Sequence, residues 1–310
     1  MISDFFTATV LIGILASGIR LATPYLYASI GETFGQRSGV LNLGVEGQML
    51  LGAFAAFYVV LITENLWLGV LVAMLVGAAM GLAMAFVTVN LSAEQGISGI
   101  GFFLFGLGMS DLLFQKLVGN VETVKGFPEI YIPVLSDIPV IGEIFFSQNI
   151  MVYGAYLLVP IAMFVLNKTT LGLKIRSVGE NPDAADSLGV SVARVRYFTV
   201  ILGGTLSGLA GASLSIALLN VFQQNMTSGL GFIAVALVYF GAWRPLGVLG
   251  GALLFSMVSS LQLWIQVKGG AIPSDIAVMM PYVLTILVLA ATASKVRAPS
   301  ALTKPFERDS

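Results

Sequence analysis

The feature that most constrains this chain is a succession of long runs without a single charged residue. They cover residues 5–19, 47–63, 65–93, 95–110, 144–167, 197–243, 245–267 and 276–294. A helix that crosses a bilayer needs roughly 20 mostly apolar residues, and most of these runs are of that order. Composition agrees: 57% of the 310 residues are hydrophobic and 10% are charged, whereas soluble domains carry about 25% charged residues. A soluble core cannot hide so much apolar surface, so lipid is the expected solvent. The run 197–243 is too long for one crossing, and its middle, Asn220 to Gly229, is polar, so it splits in two. The expected fold is all-α: one polytopic transmembrane helical bundle over 1–310, with about nine segments (eight to ten). These are expected at 5–30, 45–63, 66–90, 97–117, 149–167, 197–219, 229–242, 247–266 and 276–294. Segment 229–242 is short and is expected to be re-entrant or broken. The first 22 residues lack a basic leader region and are read as membrane helix rather than a cleaved signal.

Lysine and arginine placement orients such a chain, because short loops rich in them stay on the cytoplasmic side. The loop 168–197 holds Lys168, Lys174, Arg176, Arg194 and Arg196, and the tail holds Lys295, Arg297, Lys304 and Arg308. Both are expected in the cytoplasm, with Arg37 and Arg244. The loop 118–148 has Lys125 against Glu122, Glu129, Asp137 and Glu143, and falls outside. Its Ile, Val and Phe content, with Pro128, Pro133 and Pro139, reads as an ordered extracellular cap rather than a disordered tail.

Several chemistries are removed. There is no cysteine and no histidine, which excludes thiolate and imidazole catalysis and most zinc sites. No facing carboxylates form an acid/base set, so no catalytic residue and no metal ligand is named, and the chain is not read as an enzyme. The net charge is −1 and no basic cluster tracks phosphates, so nucleic acid is not an expected partner. The phosphate loop G-x-x-x-x-G-K-[ST] does not occur, so ATP is not bound by that route. Small-xxx-small pairs recur at Gly77/Gly81, Gly204/Gly208, Gly208/Ala212 and Gly247/Gly251, where helix backbones can approach closely.

The loop 168–197 contains a two-turn helix marked at both ends. Asn181 suits the N-cap, Pro182 the first helical position, Asp183 the positive end of the dipole and Gly189 the left-handed residue past the end. The predicted helix is 182–188, with Ala184, Ala185 and Leu188 as a small apolar face. Two turns do not hold alone in water. The segment is either a plug for a groove in another protein or an ordinary amphipathic connector. The stretch 31–52 places Glu32, Arg37, Asn42, Glu46 and Gln48 beside a membrane span, with glycines allowing an irregular start. Polar groups at membrane depth are costly unless paired or facing water. Either they line a route or gate, or Glu46 caps freed N–H groups or pairs with Arg37.

The string Gly179-Glu180-Asn181-Pro182-x-Ala184-Ala185-x-x-x-Gly189 resembles the cytoplasmic coupling segment of ABC importer permeases of the ribose, branched-chain amino acid and nucleoside group. Ser38-Gly39-Val40-Leu41-Asn42-Leu43-Gly44-Val45-Glu46-Gly47-Gln48-Met49 is similar to that group's motif near its second span, and Arg196 through Ala212 is similar too. The resemblance covers roughly 20–295 and is nearest to nucleoside (basic membrane lipoprotein-dependent) permeases, with simple-sugar permeases next. It implies a permease subunit of an ATP-driven importer in the prokaryotic plasma (inner) membrane, forming the pathway for a nucleoside or else a simple sugar of the ribose type. It implies that Gly179, Glu180, Asn181, Pro182, Ala184, Ala185, Leu188 and Gly189 dock on a separate ABC ATPase, which carries the ATP and Mg; no cofactor is expected in this chain. Other implied partners are a second permease, identical or paralogous, and an extracellular substrate-binding lipoprotein. A nucleoside route would suit amides, hydroxyls and aromatics, which singles out Asn42, Glu46, Gln48, Ser98, Phe102, Asn220 and Gln223, with Phe222 and Phe232 as further stacking candidates. An ion-coupled secondary transporter is the alternative of another class. It would bury coupling groups in mid-span, and only Asp111, Arg20 and Glu46 approach that.

Overall fold

The computed structural model of the chain describes residues 8–268, 274–292 and 297–306. The tail cations Lys295 and Arg308 lie outside these residues, as do the ends of the segments expected at 5–30 and 276–294. The described chain is helical throughout its regular structure. In order the helices are α1 (Ala8–Arg37), α2 (Val45–Thr63), α3 (Leu66–Ala85), α4 (Gln95–Leu117), α5 (Ile141–Phe145) and α6 (Ile150–Lys168). Then follow α7 (Thr170–Glu180), α8 (Pro182–Ser187), α9 (Val192–Ser213), α10 (Leu230–Phe240), α11 (Pro245–Lys268) and α12 (Ser274–Thr292). Both α3 and α9 end in a π-helical turn, Phe86–Asn90 and Leu214–Leu218.

Among the described residues, seven helices are long and apolar enough to cross a membrane: α1, α2, α3, α4, α6, α9 and α11. The expected nine segments all correspond to helices, but α10 is only 11 residues, about 16 Å at 1.5 Å per residue, and α12 is not among the seven. Helix α1 runs to Arg37, seven residues beyond its expected end at 30, so Glu32, Gln36 and Arg37 belong to it rather than to the approach to α2.

The middle of the bundle is α2 and α9, each 72% buried over its apolar window. Helix α9 packs against α1, α2 and α3. The glycines make this possible. A Cβ on Gly77 would strike the Gly204 carbonyl and come within 2.9 Å of the Gly208 Cα, and one on Gly52 would lie 2.6 Å from the Gly208 Cα. The small-residue pairs of α3 and α9 therefore face each other backbone to backbone, which is how helices gain dispersion contact where lipid offers no hydrophobic drive.

The segment 118–148 folds over one end of the bundle. It pairs Thr123 with Val221 and Glu129 with Asn149, and stacks Phe127 edge-on against Trp67 at 5.3 Å. Arg20, inside α1, reaches this cap: its Nε donates to Gln148 at 3.1 Å and its Nη2 lies 2.9 Å from Glu129. That satisfies a cation which would otherwise sit within a membrane helix. The segment 168–197 and Arg37 lie at the opposite end.

Candidate functional site

Two irregular stretches of backbone meet inside the bundle. The first is the turn 38–44 between α1 and α2. The second is 219–229, which leaves the end of α9, passes Phe222 between Phe54, Phe57 and Phe114, and reaches the start of α10. Irregular backbone at membrane depth persists only where the protein itself satisfies it. Glu46 does so. Its Oε1 accepts from the Thr227 hydroxyl at 2.6 Å and the Gly229 amide at 2.7 Å, and its Oε2 accepts from the Gly231 amide at 2.6 Å. Gly229, in the left-handed region at φ +92°, has no side chain to cap α10. The carboxylate is thus the N-cap of a helix 183 residues away.

The turn 38–44 is tied by side chains in the same way. Glu32 accepts from the Asn42 amide at 2.9 Å and from Gln36 Nε2 at 3.1 Å. Asn42 Oδ1 accepts from the Gly44 amide at 2.9 Å, while its Nδ2 donates to Gln48 at 3.1 Å. The Leu41 amide donates to Gln95 at the start of α4. Gln36 accepts from the Trp243 indole at 2.7 Å, and Arg37 Nε donates to the Trp243 carbonyl at 3.0 Å. Of the two structural roles open to Glu46 from sequence, capping or pairing with Arg37, the geometry is that of the cap. Arg37 turns to Trp243 instead of pairing with it. The partner Trp243 carried no signal in sequence beyond its bulk, because the contact spans more than 200 residues.

Asn42, Glu46 and Gln48 are fully packed inside the chain. Ser98 and Phe102 are half-buried on α4, and the Ser98 hydroxyl donates to the Glu94 carbonyl. Gln223 is exposed, and Asn220 sits under the cap, its carbonyl accepting from the Val124 amide. Phe222 is completely buried in its aromatic cluster and has no free face for a base, which corrects the expectation that it could stack on one. Phe232 is partly exposed and edge-on to Phe103 at 5.1 Å.

The second part of the site is α8. Asn181 Oδ1 accepts from the Ala184 amide at 3.0 Å, Pro182 occupies the first turn, and Gly189 has φ +80°. The capped helix ends one residue earlier than expected. Its expected apolar face is divided: Ala185 is buried in the core, while Ala184 is exposed and Leu188 is 85% exposed. In a six-residue helix, adjacent residues point about 100° apart, so 184 and 188 share the outer face and 185 the inner one. The helix is also less isolated than its sequence suggested. It follows α7, whose Ile175 and Val178 are buried and whose N-cap is Thr169. The spacing of Leu171, Ile175 and Val178 was the signal for α7. Arg196, counted among the flanking cations, is buried and donates to the carbonyls of Ser38 and Lys304.

At the cap end, a groove of about 650 Å³ opens between Thr63–Trp67 and Phe127, Pro128, Ile130 and Ile150. No group of acidic residues able to hold a metal ion occurs among the described residues.

Residues 14–289 match the family described as branched-chain amino acid transport system / permease component. The putative glucose ABC transporter permease protein TsgC13 of Haloferax volcanii is 38% identical, over 96% of this chain and 98% of that protein. The nucleoside ABC transporter permease protein NupC of Lactococcus lactis is 38% identical over 93% of this chain and 94% of its own length. The guanosine ABC transporter permease protein NupQ of Bacillus subtilis is 36% identical over 94% and 96%. No solved structure matches the chain. With seven helices able to span a bilayer among the described residues and a family match over most of its length, the chain belongs to the family described as branched-chain amino acid transport system / permease component and is a multi-pass membrane transport subunit.

Proposed function

We propose that this chain is a permease subunit of an ATP-driven importer and forms the translocation pathway for a nucleoside. The observation that carries the energy source is α8: a doubly capped two-turn helix that holds Ala184 and Leu188 out from the bundle, in a chain without a phosphate loop. A separate ATPase, binding ATP and Mg, receives that face. Nucleoside as the solute is supported by two relatives named for nucleoside or guanosine transport. A relative named for glucose keeps a simple sugar as the second reading. The loop 168–197 lies in the cytoplasm of a prokaryote, and the cap and its groove face outward toward a substrate-binding lipoprotein. A second permease, identical or paralogous, completes the pathway. In this arrangement Asn42 and Gln48 brace the turn before α2, Glu46 holds the broken start of α10, and Ser98, Phe102, Asn220 and Gln223 line the route.

Uptake of tritiated nucleosides and ribose into proteoliposomes containing this chain with its ATPase and lipoprotein tests the reading. Uptake is expected to require ATP and to prefer nucleosides. Uptake that follows a proton or sodium gradient without ATP overturns it. Ala184→Trp and Leu188→Asp are expected to abolish uptake with folding intact. Ala185 is not a test of docking, because enlarging it disturbs the core.

A further inference from the structure

Residues 297–306 fold back across the α8 end of the bundle and are bound there from three sides. The Ala301 amide donates to the Gly179 carbonyl at 2.9 Å, and the Ser300 hydroxyl to Glu180 at 3.1 Å. Gly179 and Glu180 are the two residues before Asn181, the N-cap of α8. The Thr303 amide donates to the Gly39 carbonyl at 3.2 Å, in the turn between α1 and α2. The Lys304 carbonyl accepts from the buried Arg196 at 3.1 Å. Between these bonds, the Leu302 side chain is buried with Val238, Trp243 and Leu41. The fit at the turn is close: a Cβ on Gly39, at φ +93°, would lie 3.0 Å from the Ala301 carbonyl oxygen and 3.0 Å from Arg196.

We propose that Ser300–Lys304 is a strap that makes α8 and α10 move as one body, so that displacement of α8 is delivered to the broken backbone at Glu46. The inference rests on the reading of α8 as the ATPase contact. The strap's first residues grip the root of α8. Its Leu302 presses on Trp243 and Val238, at the far end of α10 from Glu46. Trp243 is in turn bonded to Gln36 and Arg37. Helix α10 is a rod about 16 Å long, and the hydrogen bonds at its other end run to the Glu46 carboxylate, with Phe232 edge-on to Phe103 beside them. A push at α8 therefore has a packed, hydrogen-bonded route to Gly229–Gly231 that does not depend on the lipid-facing helices. A plain sealing role would predict the same contacts but no separation of ATP hydrolysis from transport.

The experiment uses the full complex in proteoliposomes, with tritiated guanosine as the probe, and compares three variants with the parent chain. In the first, Pro299–Lys304 is replaced by a Gly-Ser hexapeptide of equal length. The second and third are Leu302→Ala and Leu302→Met. The ATPase is expected to co-purify and hydrolyse ATP at the parent rate in all three. Guanosine taken up per ATP is expected to fall about tenfold in the hexapeptide variant, within the usual range of coupling between sites. It is expected to fall less in Leu302→Ala and to return to the parent value in Leu302→Met. An unchanged ratio in the hexapeptide variant or in Leu302→Ala overturns the strap. So does a joint loss of ATPase, hydrolysis and uptake in Leu302→Ala, which is the pattern of mere structural support. If the hexapeptide variant does not fold, Leu302→Ala decides. A parent complex that transports without ATP refutes the α8 reading and the strap with it, and that failure is visible before any tail variant is measured.

Discussion

The Glu46 carboxylate meets the Gly231 amide at 2.6 Å across 185 residues of sequence. It joins the first turn of α2 to the first turn of α10. Gly231 has no room for a side chain there, since a Cβ would lie 2.6 Å from the Glu46 Cα. The bond therefore depends on an acceptor of one length on α2 and a bare backbone on α10.

Removing that acceptor leaves the Thr227 hydroxyl and the Gly229 and Gly231 amides without a partner. Each buried donor left unmade costs on the order of 1–3 kcal/mol. Glu46→Ala is expected to lower stability by about 3 kcal/mol or more. Glu46→Gln is expected to cost less, because one oxygen still accepts. Thermal unfolding in detergent, with hydrogen exchange at Gly229–Ile233, checks both the order and the place of the loss.

Close approach of α3 and α9 sets a second expectation. A Cβ on Gly204 would strike the Gly77 carbonyl and lie 2.8 Å from the Gly81 Cα. Gly204→Ala is expected to cost about 1–3 kcal/mol through overpacking, and Gly204→Val to cost more. Gly250→Ala on α11, where nothing lies within 4 Å, is expected to be neutral. Folded yield by size exclusion and the unfolding midpoint separate the two sites. A harmless Gly204→Val would show that the helices do not touch there.

The Asn181 side chain accounts for the N-cap of α8. Asn181→Ala is expected to loosen that helix by about 1 kcal/mol, and Asn181→Asp to preserve it. Limited proteolysis across 181–190 and uptake should change together in the alanine variant only.

Acid sensitivity has a local source at the start of α4. Glu94 accepts from the Ile97 and Gly96 amides, which hold its carboxyl below the usual carboxylate range. A depressed folded-state value means that its contribution is complete above the ordinary carboxylate range. It is lost as pH falls through the lowered value. Glu94→Gln is expected to remove that part of the acid dependence by lowering stability at neutral pH toward the level the parent reaches in acid. Unfolding midpoints from neutral to acid pH test it.

Much of the bundle was legible from local pattern. Runs of uncharged residues located α2, α3, α4, α6 and α11 closely, because a membrane helix is defined by its own length and polarity. The caps of α8 were legible for the same reason: Asn181, Pro182 and Gly189 act on backbone within a few residues. The reading was less accurate where a charge lay inside a helix. Glu32 lay beyond the expected end of α1 at 30, but Asn42 pairs with it across the turn, as Glu129 and Gln148 pair at long range with Arg20 inside the helix. Helix α7 was missed because, at 11 residues with Lys174 and Arg176 inside it, it falls short of a membrane span, and the spacing of Leu171, Ile175 and Val178 was its only mark.

Sequence by itself determined that this chain lives in lipid as a stack of helices, and that a capped two-turn helix stands in its most basic loop. Both follow from interactions between near neighbours along the chain. Only the tertiary structure decided that Glu46 caps α10, that Ala185 turns inward while Leu188 stays out, and that the tail returns to Gly179 and Gly39. Those outcomes depend on which distant backbone groups are left without partners when the helices pack, and no local pattern records that.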